Sequence, residues 1–179
     1  MPRALFFFSV LLVTAGQPGQ VVAGNSTQHK FGEFSVTVAA DPSATLTAAD
    51  YQIVVENTEL LVARLTAPYH GTLSNSFVAD LDHDGGFEVV VTYSEASGHE
   101  TGIKVYTWKD NLLQPVKLAE LDASQSQGHR GNDEFAIIDA KLVRTFQIYE
   151  QQNGTWSATA TRRQLRYSFE HARWTSDQP

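Results

Sequence analysis

Apolar and polar residues alternate with period two along most of this chain. Phe34, Val36 and Val38 are separated by Ser35 and Thr37, and Tyr51, Ile53 and Val55 by Gln52 and Val54. Phe77, Ala79 and Leu81 share one face of a later segment, followed by Phe87, Val89, Val91 and Tyr93. Ile103 and Val105 oppose Tyr106 and Trp108, and Leu165, Tyr167 and Phe169 alternate with Arg166 and Ser168. Successive side chains on a strand point to opposite faces, so the pattern predicts strands with one face in a core. Turn-forming clusters separate the runs: Ala40-Asp-Pro-Ser43, Asp84-Gly-Gly86, Lys109-Asp-Asn111 and Gln151-Gln-Asn-Gly154. Short strands punctuated in this way imply an all-β fold, here a single antiparallel β-sandwich. Residues 135–138 and 142–149 read as a hairpin around Asp139-Ala140. Asp-Ala suits a two-residue turn poorly, which predicts a slightly longer loop. Only residues 44–50 and 116–121 have helical character, and both are short.

The first 23 residues break the pattern. Arg3 precedes a nearly continuous apolar run over residues 4–13, and small-residue sites end at Ala15 and Ala23. Residues 1–23 therefore read as a secretory signal peptide, cleaved before Gly16 or Gly24. The run falls well short of the roughly 20 residues that a membrane-spanning helix needs. The expectation is an exported, periplasmic protein with no membrane insertion. Residues 24–30 are polar and read as a flexible lead-in, and residues 31–176 as the β-sandwich domain.

Composition narrows the function. The chain of 179 residues contains no cysteine, which excludes disulfide-stapled scaffolds and zinc sites built on thiolates. Its net charge is −7, and removal of Arg3 leaves 12 basic against 20 acidic residues. Such a surface argues against nucleic acid as a partner and favours encounter with a cationic one. No nucleophile elbow, zinc-protease motif, phosphate loop or dinucleotide fingerprint occurs, so the expectation is not an enzyme.

The informative stretch is two connectors, Asp80-Leu-Asp-His-Asp-Gly-Gly-Phe-Glu88 and Ser97-Gly-His-Glu-Thr-Gly102. Asp80, Asp82 and Asp84 recur at every second position, with Gly85 next and Glu88 four residues after Asp84. Alternating carboxylates around a glycine-permitted turn are the ligand spacing of calcium loops. The competing reading is a hairpin turn whose carboxylates cap backbone N–H groups. The pattern also occurs in the FG-GAP repeats of extracellular propellers, but a propeller needs several copies and this chain has one.

Several segments occur in one order: residues 77–89, Ser97-Gly98, residues 128–149 (Asp133-Glu-Phe-Ala136 and Leu142-Val-Arg-Thr-Phe146 above all) and Arg163-Gln-Leu-Arg-Tyr167. In that order they resemble the bacterial periplasmic inhibitors of invertebrate-type (i-type) lysozyme, over residues 34–169. The resemblance implies a β-sandwich that pushes a Ser-Gly-x-Tyr loop into the lysozyme cleft. Ser97 and Gly98 match that motif, His99 takes its variable position, and Glu100 stands where the tyrosine would be. A lysozyme cleft holds two carboxyl groups, one of them protonated. Tyrosine donates to them, whereas a carboxylate is repelled unless one is protonated; a protonated His99 would supply the missing donor. The resemblance implies an i-type lysozyme as partner and requires no cofactor. Calcium at the acidic turn stays open, as does a homodimer. The alternative reading is a calcium-binding extracellular β module with an adhesive or structural role. A third is a glycan- or peptide-binding sandwich using Tyr106, Trp108 or Trp156. Arg144, inside an apolar strand, is expected to pair with Asp133 or Glu134.

Overall fold

The computed structural model describes residues 20–22, 26–41, 49–95, 98 and 100–176. Among them the chain forms thirteen strands, all paired antiparallel, and no helix. Among the described residues, therefore, no helix is long and apolar enough to cross a membrane. The first sheet holds β1 (Gln20–Val22), β2 (Ser26–Phe31), β3 (Phe34–Ala40), β4 (Ala49–Asn57) and β5 (Leu60–Tyr69). The second holds β6 (Thr72–Ala79), β7 (Glu88–Ser94), β8 (Thr101–Lys109) and β9 (Leu112–Val116). The third holds β10 (Glu134–Ile138), β11 (Lys141–Gln152), β12 (Thr155–Ser168) and β13 (Arg173–Ser176). Within each sheet neighbours in space are neighbours in sequence, so each is a plain meander.

The expected alternation sorts residues onto faces as the period demands. Val36, Val38, Tyr51, Ile53 and Val55 meet Val89, Val91, Tyr106 and Trp108 in one core. The opposite side chains of the second sheet, Val90 and Val105 with Ala79, meet Leu142, Phe146, Leu165, Tyr167 and Trp174 in another. The second sheet is thus the middle layer, and two sandwiches share it. Its central strand shows this locally: Val89-Val-Val91 is apolar without alternation, as a strand buried on both faces must be. Burying each such side chain stabilises by about 1.5–3 kcal/mol. Polar pins join the first two sheets, with Tyr51 and Tyr106 hydroxyls 2.6 Å apart and His29 Nε2 2.9 Å from Ser76 Oγ.

Four local expectations change. Residues 26–30 are strand rather than flexible lead-in, because β2 pairs along its whole length with β3 and buries His29. A polar segment joins a sheet when a neighbour offers it backbone partners. Residues 20–22, at the end of the segment read as a signal peptide, pair with β2 as β1. Residues 116–121 form no helix; β9 ends at Val116, and Leu118, Ala119 and Leu121 run in irregular chain over the second core. Finally, Asp139-Ala140 closes its hairpin with two residues only, Ile138 facing Lys141. Both turn residues lie in the left-handed region, φ 50° and 53°. Residues 44–48 of the other helical candidate lie outside the described residues.

Candidate functional site

The two connectors leave opposite ends of β7. At one end Ser94 pairs with Thr101, and a short loop spans residues 95–100. Two backbone hydrogen bonds close it: Glu95 N–H donates to Glu100 O and Gly98 N–H to Glu95 O, each at 2.8 Å. Gly98 sits at φ 73°, a conformation other residues adopt at a cost. Gly98 and Glu100 are exposed; Ser97 and His99 lie outside the described residues. Gly102 serves differently from a turn glycine. A Cβ there would lie 2.1 Å from the Tyr93 ring, so the missing side chain lets that ring cross the strand.

The foot of this loop opens onto a shallow polar bowl. Glu100 and Thr101 line it together with His129, Arg130, Gly131, Asp133 and Arg144. Asp133 organises the floor: its side chain is 4 % exposed, Arg144 Nε donates to Oδ1 at 2.7 Å, and His129 Nε2 lies 3.0 Å from Oδ2. The expected pairing of Arg144 is therefore with Asp133, while Glu134 instead pairs with Arg162 at 2.7 Å. Phe135, Phe146 and Trp174 surround the Arg144 guanidinium at 5.7–5.8 Å, and the His129 ring meets Phe146 edge-on. Arg130 is exposed and lies over the Trp156 ring at 4.6 Å. Trp156 is 44 % exposed, whereas Tyr106 and Trp108 are core residues and offer no binding platform.

At the other end of β7 the acidic turn joins Ala79 to Glu88, which face each other across the ladder. Each aspartate caps a backbone N–H: Asp80 Oδ2 accepts from Gly85 at 3.2 Å, Asp82 Oδ1 from Asp84 at 3.1 Å, and Asp84 Oδ1 from Gly86 at 2.7 Å. Glu88 is fully buried and its Oε2 accepts from Leu81 N–H at 2.8 Å. The capping reading thus accounts for one oxygen of each carboxylate. It leaves Asp80 Oδ1 and Glu88 Oε1, both buried and without a hydrogen-bond partner. One oxygen each from Asp80, Asp82 and Glu88 lies within 4.8 Å of the others; Asp84 is not among them.

The electrostatics are one-sided. Burial pushes the Glu88 carboxyl above the usual range, Leu81 N–H and the Thr107 side chain pull it back, and the charges of Asp82 and Asp84 raise it further. Asp82 is raised too, first by partial burial and then by its acidic neighbours after the Asp84 N–H draws it down. Like charges at this separation repel by roughly 3 kcal/mol per pair at an effective dielectric near 20, less where water screens Asp82.

The spacing of acids in the sequence made the turn conspicuous. The burial of Glu88 was not legible there, because it depends on tertiary packing around β7 rather than on local sequence. The His129–Asp133–Arg144 cluster was half legible, through an arginine set inside an apolar strand. Comparison with protein-family models, with curated proteins and with solved structures finds no match for this chain.

Proposed function

We propose that the protein is an exported, non-catalytic inhibitor of an i-type lysozyme, with the 95–100 loop as the part that enters the enzyme's cleft. One observation carries the reading. Residues 100–101, which follow the Ser-Gly pair, and the resembling segment 128–149 are far apart in sequence but border one bowl through Glu100, Thr101, His129, Asp133 and Arg144. Blocking a cleft requires no chemistry from the inhibitor. It requires a loop that loses little entropy on binding and groups that satisfy the catalytic carboxyls once water has left. The backbone hydrogen bonds that tie Glu95 to Gly98 and to Glu100 support the first. Arg130 at the rim meets part of the second, supplying positive charge where Glu100 replaces the family's phenol.

A turbidity assay of cell-wall lysis with i-, c- and g-type lysozymes tests this. The parent inhibits the i-type enzyme. Ser97→Ala weakens inhibition about 5- to 150-fold, the equivalent of roughly 1–3 kcal/mol for a lost hydrogen bond to a desolvated carboxyl. Glu100→Tyr strengthens it, because a donor replaces a repelled carboxylate. Failure of both the parent and Glu100→Tyr against every lysozyme class would reject the proposal.

A further inference from the structure

We propose that the turn between β6 and β7 is a calcium site whose carboxylate ligands are Asp80, Asp82 and Glu88, with Asp84 outside the ligand set. The site is separate from the inhibitory loop, at the opposite end of β7, and stands or falls independently of it.

An acidic turn alone is a solvated hairpin. What distinguishes this one is Glu88, a carboxylate with no exposed surface, one oxygen of which has no hydrogen-bond donor. Burying such an oxygen unpaired is costly, and proteins rarely leave one so. Asp80 Oδ1 is buried in the same condition. The two unsatisfied oxygens belong to residues whose carboxylates converge with Asp82 to within 4.8 Å. Calcium binds carboxylate oxygens at 2.3–2.6 Å, so ligands on opposite sides of one ion stand about 4.8 Å apart. All three are therefore close enough to share a single ion. The other oxygens of Asp80 and Glu88 accept from Gly85 N–H and Leu81 N–H, which anchors each carboxylate and leaves one oxygen of each without a donor. Asp84 spends its Oδ1 on Gly86 N–H and shapes the turn.

The charge balance favours a cation from solution. The charges acting on Glu88 are those of Asp82 and Asp84, both negative, and those acting on Asp82 are Asp84 and Asp80. Three carboxylates on a divalent ion leave coordination positions for water on the exposed side, where Asp82 sits. Calcium, with six to eight flexible ligands, fits this open arrangement better than magnesium, which demands near-ideal octahedral geometry at shorter distances. Phe87 follows the turn and stacks on Trp108, with ring centroids 5.4 Å apart and planes 9° apart, so closing the turn also braces the first core.

The test is thermal unfolding of the full exported chain, first stripped with chelator, then titrated with calcium chloride or magnesium chloride. A ligand held only by the folded state raises the melting temperature by about 5–10 °C at a hundredfold excess over its dissociation constant in a domain of this size. Calcium gives that rise, and magnesium at equal concentration gives a smaller one. Asp80→Asn, Asp82→Asn and Glu88→Gln abolish it, whereas Asp84→Asn, which keeps a capping oxygen, retains it. Isothermal titration with calcium chloride shows one ion per chain in the parent and none in Glu88→Gln. No shift in the parent at millimolar calcium, an equal shift with magnesium, or a Glu88→Gln protein that still responds would each overturn the assignment. Should Glu88→Gln fail to fold, the Asp80 and Asp82 variants decide.

Discussion

Glu88 and Asp133 are both buried carboxylates beside a connector, yet their surroundings are opposites. Asp133 sits between Arg144 and His129, within a segment (residues 123–176) that carries seven basic against five acidic residues. Glu88 sits among aspartates, within a segment (residues 20–122) that carries five basic against fourteen acidic. The third sheet brings its own counter-charge and closes its polar cluster internally. The acidic turn leaves two oxygens unanswered and looks to solution for the answer. A buried charge that is fully paired points first to architecture. One left unpaired points first to a ligand.

The sharpest way to break this contrast is to remove one carboxylate from each region, since only one of the two losses should destabilise. Asp133→Asn strands the Arg144 guanidinium, whose side chain is only 17 % exposed, among three aromatic rings. Breaking a buried pair costs about 3–5 kcal/mol; the residual water access of Arg144 places the loss near the low end, about 3 kcal/mol. Urea unfolding measures it, and adding Arg144→Met recovers part by removing the orphan. Glu88→Gln in calcium-free solution behaves the other way. The amide keeps an oxygen for Leu81 N–H while losing a charge held among negative neighbours, so stability is unchanged or rises by about 1 kcal/mol. A loss comparable to that of Asp133→Asn would mean that Glu88 has a cationic partner within the protein and that the contrast is wrong.

A third buried group carries a smaller effect. His29 joins β2 to β6 through Ser76, and burial lowers its pKa below the ordinary 6.5. As pH falls, the unfolded chain takes up the proton first. This contribution is therefore complete above about pH 6.5 and is lost as pH drops through that value toward the folded pKa. Glu88, raised by burial, works in the opposite sense in acid, so the parent curve mixes the two. The difference in denaturant stability between parent and His29→Gln, followed from pH 7 to pH 5 with chelator present, isolates the histidine. A difference independent of pH would show that His29 is not held neutral.

These regions also differ in how far the sequence disclosed them. Period-two alternation put Val36, Tyr51, Ile53 and Val89 on faces that the structure buries, because a strand leaves a side chain only two directions, whereas Trp108, one of three candidates for an exposed platform, is buried in the same core. It did not announce that the middle sheet is covered on both faces, although Val89-Val-Val91 carried the signal. Residues 26–30 misled because polarity speaks of exposure, while strand formation there rests on backbone pairing with β3. The carboxylate spacing of the acidic turn was legible, yet which oxygens lack partners depends on tertiary burial. Asp84 fits the spacing as well as Asp82 does and still turns away to cap Gly86. Of the 95–100 loop, the structure adds the closure by Glu95, Gly98 and Glu100 and the bowl at its foot.

The smallest expected effect tests whether the two regions are energetically separate. Asp139-Ala140 turns the hairpin that carries Arg144, and Ala140 holds φ 53°, where an L-residue with a Cβ is disfavoured by about 1–2 kcal/mol. Glycine relieves that strain but gives the unfolded chain more freedom, which offsets roughly 0.4–1 kcal/mol of the gain. Ala140→Gly therefore stabilises by about 0.5–1 kcal/mol, a rise of a few degrees in melting temperature. The turn belongs to the self-paired third sheet, on the far side of the middle layer from the first core. Effects at distant sites with no shared partners add to within a few tenths of a kcal/mol. The same rise should then appear with chelator and with saturating calcium, and the calcium-induced shift of the variant should equal that of the parent. A calcium response altered by Ala140→Gly would show that the acidic turn and the third sheet are coupled through β7. The two buried carboxylates would then have to be treated as one system.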